Sequence, residues 1–406
     1  MTNGAVAAAD IGTSKVCVVI GQVTDAGIHV HGVGFAETGA RRGRRMNPVA
    51  VAAALNEALE AAETSARMEA RELYVGITTD AQRGENVVGD IRIAGGVVRE
   101  NHVEQVLDDA RDRRQKKDRM VLHTLVQDFV VGSRMQVLDP VNRKGDRLRA
   151  RVHLISASQQ LVDGLRVVSE SCHLRISGVV AQPVASSFAV LEPEESRAGV
   201  VLIDIGARTT DVMMWFEGVL IHSVTFASGG DRISRAIAER LGVRLSVAHK
   251  LKQEFGAAEL SEVDALEQMT WTCPERGSRV AMQRAVLVEV MESELVRLLE
   301  MVRTELEARD LLSSLDGGVV LCGGTSELPG LVGVAERVLS TSARIGVPPL
   351  ATGLGQVVRQ PRYAAALGLL RYVSGAEHPG LVYRLHEPTR WEMFWEQARR
   401  VMDQFI

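Results

Sequence analysis

The feature that most narrows the possible folds is a turn signal that occurs twice. Asp10-Ile-Gly-Thr-Ser-Lys15 lies between strand-like runs at 6–9 and 16–20, and Asp204-Ile-Gly-Ala-Arg-Thr-Thr-Asp211 between runs at 199–203 and 212–216. A third strand-like run follows each pair, at 28–34 and 219–226, and then a helix signal. Asn47-Pro48 opens the first helix, alanine-rich and running to about residue 66; the second covers 231–241. A further strand is expected at 73–77. Repeated strand–strand–strand–helix order implies two related α/β lobes, each with an antiparallel start and helical crossovers.

Two insertions interrupt this order. Residues 84–158 carry a helix pattern near 101–114 and strand patterns near 122–131 and 148–154. Residues 243–312 read as mainly helical, with 282–307 as one long amphipathic helix. The 406 residues are enough for two large lobes, and a net charge of -4 gives no reason to expect a nucleic-acid partner. Cys17, Cys172, Cys273 and Cys322 are scattered without metal-like spacing, which suits reduced thiols in a cytosol. No apolar run reaches the roughly 20 residues of a membrane span. Met1 runs almost directly into the first strand signal, so no signal peptide is expected.

Glycine in a tight turn lets backbone N–H groups approach an anion, and Ser or Thr hydroxyls add donors. A carboxylate at the strand end suits a hydrated Mg²⁺, which prefers oxygen ligands and keeps its waters. Two such turns in equivalent places of a duplicated fold point to phosphate binding. A third element, Gly317 to Leu331, is a buried strand ending in Gly323-Gly324-Thr325 before a helix. The double glycine leaves a flat floor for a nucleoside beside a helix N-terminus.

These three motifs, in this order, resemble the actin-like ATPase superfamily of actin, DnaK-type chaperones, sugar kinases, MreB and FtsA. Within it the chain resembles the FtsA family of bacterial division proteins over essentially its whole length. Leu138-Asp-Pro-Val-Asn142, Arg151-Val-His-Leu-Ile-Ser156, Ala185-Ser-Ser-Phe188 and Arg344-Ile-Gly-Val-Pro348 carry that likeness, together with the place and length of the first insertion. The resemblance implies an α/β, two-lobed actin-like fold with duplicated mixed five-stranded sheets, an inserted subdomain and a C-terminal amphipathic helix. Subdomain 1A would comprise 1–83, 159–175 and 362–373, and subdomain 1C would be 84–158. Subdomain 2A would comprise 176–230 and 313–361, and subdomain 2B would be 231–312. A linker at 374–389 and a membrane-targeting helix at 390–406 complete the division.

The resemblance also implies a site for ATP and Mg²⁺. Its nucleotide-binding residues would be Asp10, Gly12, Thr13, Ser14 and Lys15, then Asp204, Gly206, Arg208, Thr209 and Thr210, with Gly229, Gly230, Lys252, Gly323, Gly324 and Thr325. Asp10 and Asp204 would hold the metal through water, and Gln182 would orient the attacking water. Ala207 and Arg208 replace two glycines usual in the second phosphate turn, which makes weak hydrolysis at most the expectation. Arg284 and Arg297 would grip the acidic tail of FtsZ, although Glu294 stands where another base is common. Further partners implied are a second copy of the chain in a filament and other division proteins through 84–158. A PilM-like pilus assembly protein or a kinase of the superfamily are the alternatives.

The last sixteen residues carry an apolar stripe. Trp391, Phe394, Trp395, Ala398, Val401, Met402, Phe405 and Ile406 share one face of a helix, while Glu392, Glu396, Arg399, Arg400 and Asp403 lie opposite. Behind a Gly- and Pro-containing linker, this stripe reads as a weak, reversible lipid anchor, held by apolar burial rather than charge. The chain is thus expected as a peripheral protein on the cytoplasmic face of the bacterial inner membrane, at the division site.

Overall fold

The computed structural model describes residues 5–24, 27–38, 47–114, 117–133, 135–264, 266–273, 278–349 and 351–374. The expected linker and terminal helix, with Trp391, Phe394, Trp395, Val401, Met402, Phe405 and Ile406, lie outside the described residues.

The first lobe is built on the hairpin of Val6–Ile11 with Lys15–Thr24. Gly27–Glu37 pairs with the second strand, and Glu72–Ile77 and Arg175–Ala181 add in parallel beyond the first. The central strands read as continuous apolar runs because both faces are covered. Helices Pro48–Ala66 and Gln159–Ser171 pack on one face, while Gln182–Val190 and Ala364–Ser374 pack on the other. The first helix starts where Asn47 accepts from the N–H of Val49, with Pro48 at the first position.

Five of this sheet's strands follow the expected duplicated order. The sixth, Ala351–Gly353, pairs in parallel with Gly27–Glu37 although it comes from the far end of the chain. Arg175–Ala181 also belongs to this sheet, whereas a domain boundary at residue 176 would give it to the second lobe.

The second lobe repeats the plan with five strands. Val200–Ile205, Thr210–Phe216 and Val219–Phe226 form the antiparallel start, and Val319–Cys322 and Ala343–Ile345 add in parallel. Helices Gly230–Leu241, Leu245–Phe255, Arg284–Glu307 and Leu331–Leu339 cover its outer face. Its inner face packs against Gln182–Val190, so one apolar core is shared by both lobes. The helices Gln182–Val190 and Ala364–Ser374 cross so tightly that a Cβ on Gly368 would lie 1.8 Å from the Ala185 carbonyl oxygen.

The second insertion departs from its helical reading. Gln268–Cys273 and Ser278–Gln283 form an antiparallel hairpin, and the long helix begins at Arg284 rather than Met282. Met269 and Trp271, two apart on one strand, turn toward the second lobe's core. That period of two was short enough to be lost among helical neighbours.

The first insertion is a four-stranded antiparallel sheet with the helix Glu100–Asp112 on one face. Its two long strands, Arg119–Val131 and Arg147–Ser158, reach back into the first lobe. There Leu122 and Ala157 join one core, and Leu125 and Ile155 the other. The inserted subdomain is therefore rooted through these two strands in both cores.

Candidate functional site

The first turn is closed by the N–H of Gly12 donating to the Lys15 carbonyl at 3.0 Å. Thr38 braces it from the neighbouring strand: its N–H donates to Ser14 O at 3.1 Å and its hydroxyl to Thr13 O at 2.8 Å. Among the described residues the N–H groups of Thr13 and Ser14 have no hydrogen-bond partner, which leaves them for an anion. Lys15 leans over the ring of Tyr363, 4.2 Å from its centroid, and donates to the Arg362 carbonyl. Burial lowers its pKa, and the Asp10 carboxylate opposes that shift.

The second turn closes in the same way, Gly206 N–H to Thr209 O at 2.9 Å. The structure then gathers the scattered candidates onto it. Gly230 donates its N–H to Gly206 O at 3.0 Å, and Asp231 donates to Ala207 O at 2.7 Å. Lys252 Nζ donates to Gly230 O at 2.8 Å, and the Thr325 hydroxyl to Gly206 O at 3.4 Å. Burial brings Lys252 down to about 8, partly offset by Asp231. Gly323 has φ +84°, and a Cβ there would stand 2.4 Å from Asp204 Oδ1; only glycine lets the strand end approach this carboxylate. Arg208 is half-buried at the turn itself, and Gly324 lies beside the Arg362 side chain. Thr209 is buried as well; Thr210 is fully buried and donates to Ser228 O at 2.8 Å, so its hydroxyl serves the lobe's packing.

The two turns are joined by one helix. Gln182, at the start of Gln182–Val190, donates its side-chain amide to Asp10 Oδ1. Ser186, one turn later, donates to Asp204 Oδ2 at 2.7 Å. Residues i and i+4 share a helix face, so this segment hands one donor to each lobe's carboxylate. Ser186 lies in the stretch Ala185-Ser-Ser-Phe188, which by itself gives no signal that the hydroxyl meets Asp204.

Asp211 and Thr78 were also missed. The Thr78 hydroxyl, at the end of a first-lobe strand, lies 2.9 and 3.0 Å from the two Asp211 oxygens in the second lobe. Thr225 donates to the same carboxylate at 2.6 Å. Burial pushes Asp10 up to about 7, against Lys15 and with help from Asp204. Asp211 rises to about 7 for the same first reason, against the Thr225 hydroxyl. Asp204 is also raised by burial, against the Ser186 hydroxyl. Three carboxyls gathered in one cleft thus hold protons more firmly than exposed ones, a state that a nearby cation would reverse.

Comparison with known proteins places this geometry. A family described as "SHS2 domain inserted in FTSA" matches residues 81–156, and one described as "Cell division protein FtsA" matches 201–368. The FtsA of Pseudomonas aeruginosa is 32% identical over 89% of this chain and 88% of its own length. That of Neisseria meningitidis is 31% identical over 89% and 88%, and that of Escherichia coli 30% over 89% and 89%. The chain belongs to the FtsA family of cell division proteins.

Solved structures agree on the fold. The PilM–PilN type IV pilus biogenesis complex superposes with a TM-score of 0.66 at 18% identity, covering 91% of this chain and 98% of the other. MreB5 of Spiroplasma citri bound to ADP gives 0.51 at 11% identity, over 92% and 99%. The inserted domain matched at 81–156 overlaps the insertion expected at 84–158.

The two residues expected to contact an acidic tail, Arg284 and Arg297, lie on the long helix Arg284–Glu307. Arg284 is engaged inside the second lobe, donating to Phe255 O at 2.7 Å and to Glu267 at 2.9 Å. Arg297 is exposed and stands 3.5 Å from Glu294, which also accepts from Arg232 at 2.7 Å. Glu294 also lines a cavity of about 520 Å³ together with Glu239, Glu289 and Arg240. No helix among the described residues is long and apolar enough to cross a membrane.

Proposed function

We propose that this FtsA-family chain binds ATP between its lobes, assembles into filaments and tethers FtsZ filaments to the inner face of the membrane. The observation that carries the reading is the bridge from Gln182 and Ser186 to Asp10 and Asp204, with a glycine-closed turn beside each carboxylate. Thr13 and Ser14 offer backbone donors to phosphate oxygens, and the Gly323-Gly324-Thr325 floor offers flat space for a nucleoside. Lys252 and Arg208 add positive charge on the second-lobe side.

The donor set fits Mg²⁺. Asp10 and Asp204 supply oxygen ligands, and among the described residues no three carboxylates or imidazoles converge to hold a metal directly. Attachment through water by these two carboxylates suits a cation that dehydrates reluctantly. When bound, Mg²⁺ supplies charge neutralisation at the phosphate oxygens. Gln182 donates through its amide nitrogen to Asp10, which leaves its carbonyl oxygen to accept from a water and aim it. Side chains at Ala207 and Arg208 crowd the turn, so the proposed turnover is slow. The PilM-like reading has the fold in its favour but only 18% identity behind it.

The tail at 390–406 supplies the tether in this reading. Each large apolar side chain gives roughly 1.5–3 kcal/mol when fully buried, and less at an interface. A single tail is therefore a weak anchor, and a filament binds through many. The test has two parts. Purified protein should bind ATP in the presence of Mg²⁺; absence of binding refutes the cleft assignment. A fluorescent fusion of the full chain should gather at the division site, and one ending at Thr389 should not. Equal behaviour of the two refutes the tether.

A further inference from the structure

The strand Arg119–Val131 carries an irregularity with a consequence for the cleft. Its register against Arg147–Ser158 shifts between Val121 and His123, so Leu122 is an extra residue and His123 is re-aimed. The imidazole is fully buried, and its partners lie outside the inserted subdomain, at the end of the strand Arg175–Ala181 and on the helix Ala364–Ser374. Its Nε2 accepts the N–H of Ala181 at 2.9 Å. Because Nε2 accepts, Nδ1 carries the proton and donates to the Tyr372 hydroxyl at 3.1 Å. The two rings meet edge to face, 5.7 Å between centroids.

Ala181 is the residue on which the chain turns from the strand Arg175–Ala181 into the helix Gln182–Val190. Its N–H belongs to the peptide just before the one that sets Gln182. Burial brings His123 down to about 3, so the ring stays neutral and Nε2 keeps its acceptor role at every physiological pH. A buried histidine bonded at both nitrogens is commonly just a satisfied core residue. Here one bond lands on the shared helix Ala364–Ser374 and the other on Ala181, the residue just before the side chain that holds Asp10.

Resting on the nucleotide reading above, we propose that His123 is a positioning residue for Gln182, tying the inserted subdomain to the chemistry of the cleft. Anything that shifts Arg119–Val131, including a partner bound to the inserted subdomain, then acts on the Gln182–Asp10 contact through one imidazole. Positioning errors of this kind slow a reaction without weakening ground-state binding.

The test compares His123→Leu, which loses both bonds, with His123→Gln, whose amide oxygen can replace Nε2 as acceptor. ATP affinity is measured by titration with Mg²⁺, and hydrolysis by single-turnover phosphate release with protein in excess. His123→Leu should slow hydrolysis about tenfold while leaving ATP affinity within about twofold, and His123→Gln should recover most of the rate. On a Gln182→Ala background, His123→Leu should add almost nothing, because the two residues act as one unit. Unchanged hydrolysis in His123→Leu overturns the proposal, as does full additivity with Gln182→Ala or an ATP-bound parent with no hydrolysis at all. If His123→Leu is too unstable to purify, a His123→Gln protein that folds and binds ATP but has lost the rate also overturns it. Absence of ATP binding by the parent removes the nucleotide reading itself, and this role with it.

Discussion

Thr78→Val tests whether the lobes are latched through Asp211. The substitution keeps the shape of the side chain and removes the hydroxyl that reaches both Asp211 oxygens at 2.9 and 3.0 Å. One hydroxyl has one hydrogen, so a single shared bond is lost, and Thr225 remains as the donor at 2.6 Å. Both partners are buried, at 8% and 3% exposure, so water cannot take over the lost role. A bond to an ionised carboxylate is worth about 1.5–3 kcal/mol, against about 0.5–1.5 kcal/mol when the group is neutral.

The sign follows from the raised pKa. Asp211 stands near 7 in the folded chain and near 3.8 when unfolded, so its contribution is full below the unfolded value and is lost as pH rises through about 7. Loss of a donor to the charged form raises the folded pKa further, by about one unit for each 1.4 kcal/mol. Thr78→Val should therefore destabilise the protein more at pH 8 than at pH 5. Thermal and urea unfolding of parent and variant at both pH values measure this. Thr225→Val should show the same pH signature, whereas only Thr78→Val should speed hydrogen exchange in residues 78–82, because only Thr78 spans the lobes. Equal destabilisation by Thr78→Val at the two pH values would refute the argument.

Gly323→Ala should weaken ATP binding at least tenfold: the new Cβ meets Asp204 Oδ1, and backbone at φ +84°, ψ 169° costs a non-glycine residue about 1–3 kcal/mol. Titration with ATP and Mg²⁺ reads this directly. Arg284→Ala should lower stability by about 1.5–3 kcal/mol through its lost bonds to Phe255 and Glu267. Arg297→Ala should stay within about 0.5 kcal/mol, since its guanidinium is exposed and stands 3.5 Å from Glu294, which keeps Arg232 as a partner; denaturant titration separates the two. In the tail, Trp395→Ala should reduce co-sedimentation with anionic lipid vesicles more than Arg400→Ala does, because apolar burial outweighs a cancelled charge.

Much of the fold was legible because its signals are local. Asn47 and Pro48 set a helix start correctly, the apolar runs at 6–9 and 16–20 marked buried strands, and the insertion at 84–158 fell where the matched domain lies. The hairpin Gln268–Cys273 with Ser278–Gln283 was not legible, since a few alternating residues lose to long helical periods on either side. Nor was the edge strand Ala351–Gly353, three residues whose partner begins at Gly27. Ser186, Thr78 and His123 were missed for a related reason. Each is an ordinary polar residue whose role depends on a carboxylate or an N–H far away in sequence.

The sequence by itself determined the duplicated turns, because a tight glycine turn between two strands is specified by its own few residues. It also carried the resemblance to the FtsA family, spread over short stretches from end to end. Only the tertiary structure decided that one helix serves both turns, placing Gln182 on Asp10 and Ser186 on Asp204. It alone showed Arg284 engaged within the lobe, bonded to Phe255 O and Glu267. The physical reason is that a buried charge takes whatever donors the packing brings within about 3 Å, and that choice is made by the meeting of distant segments.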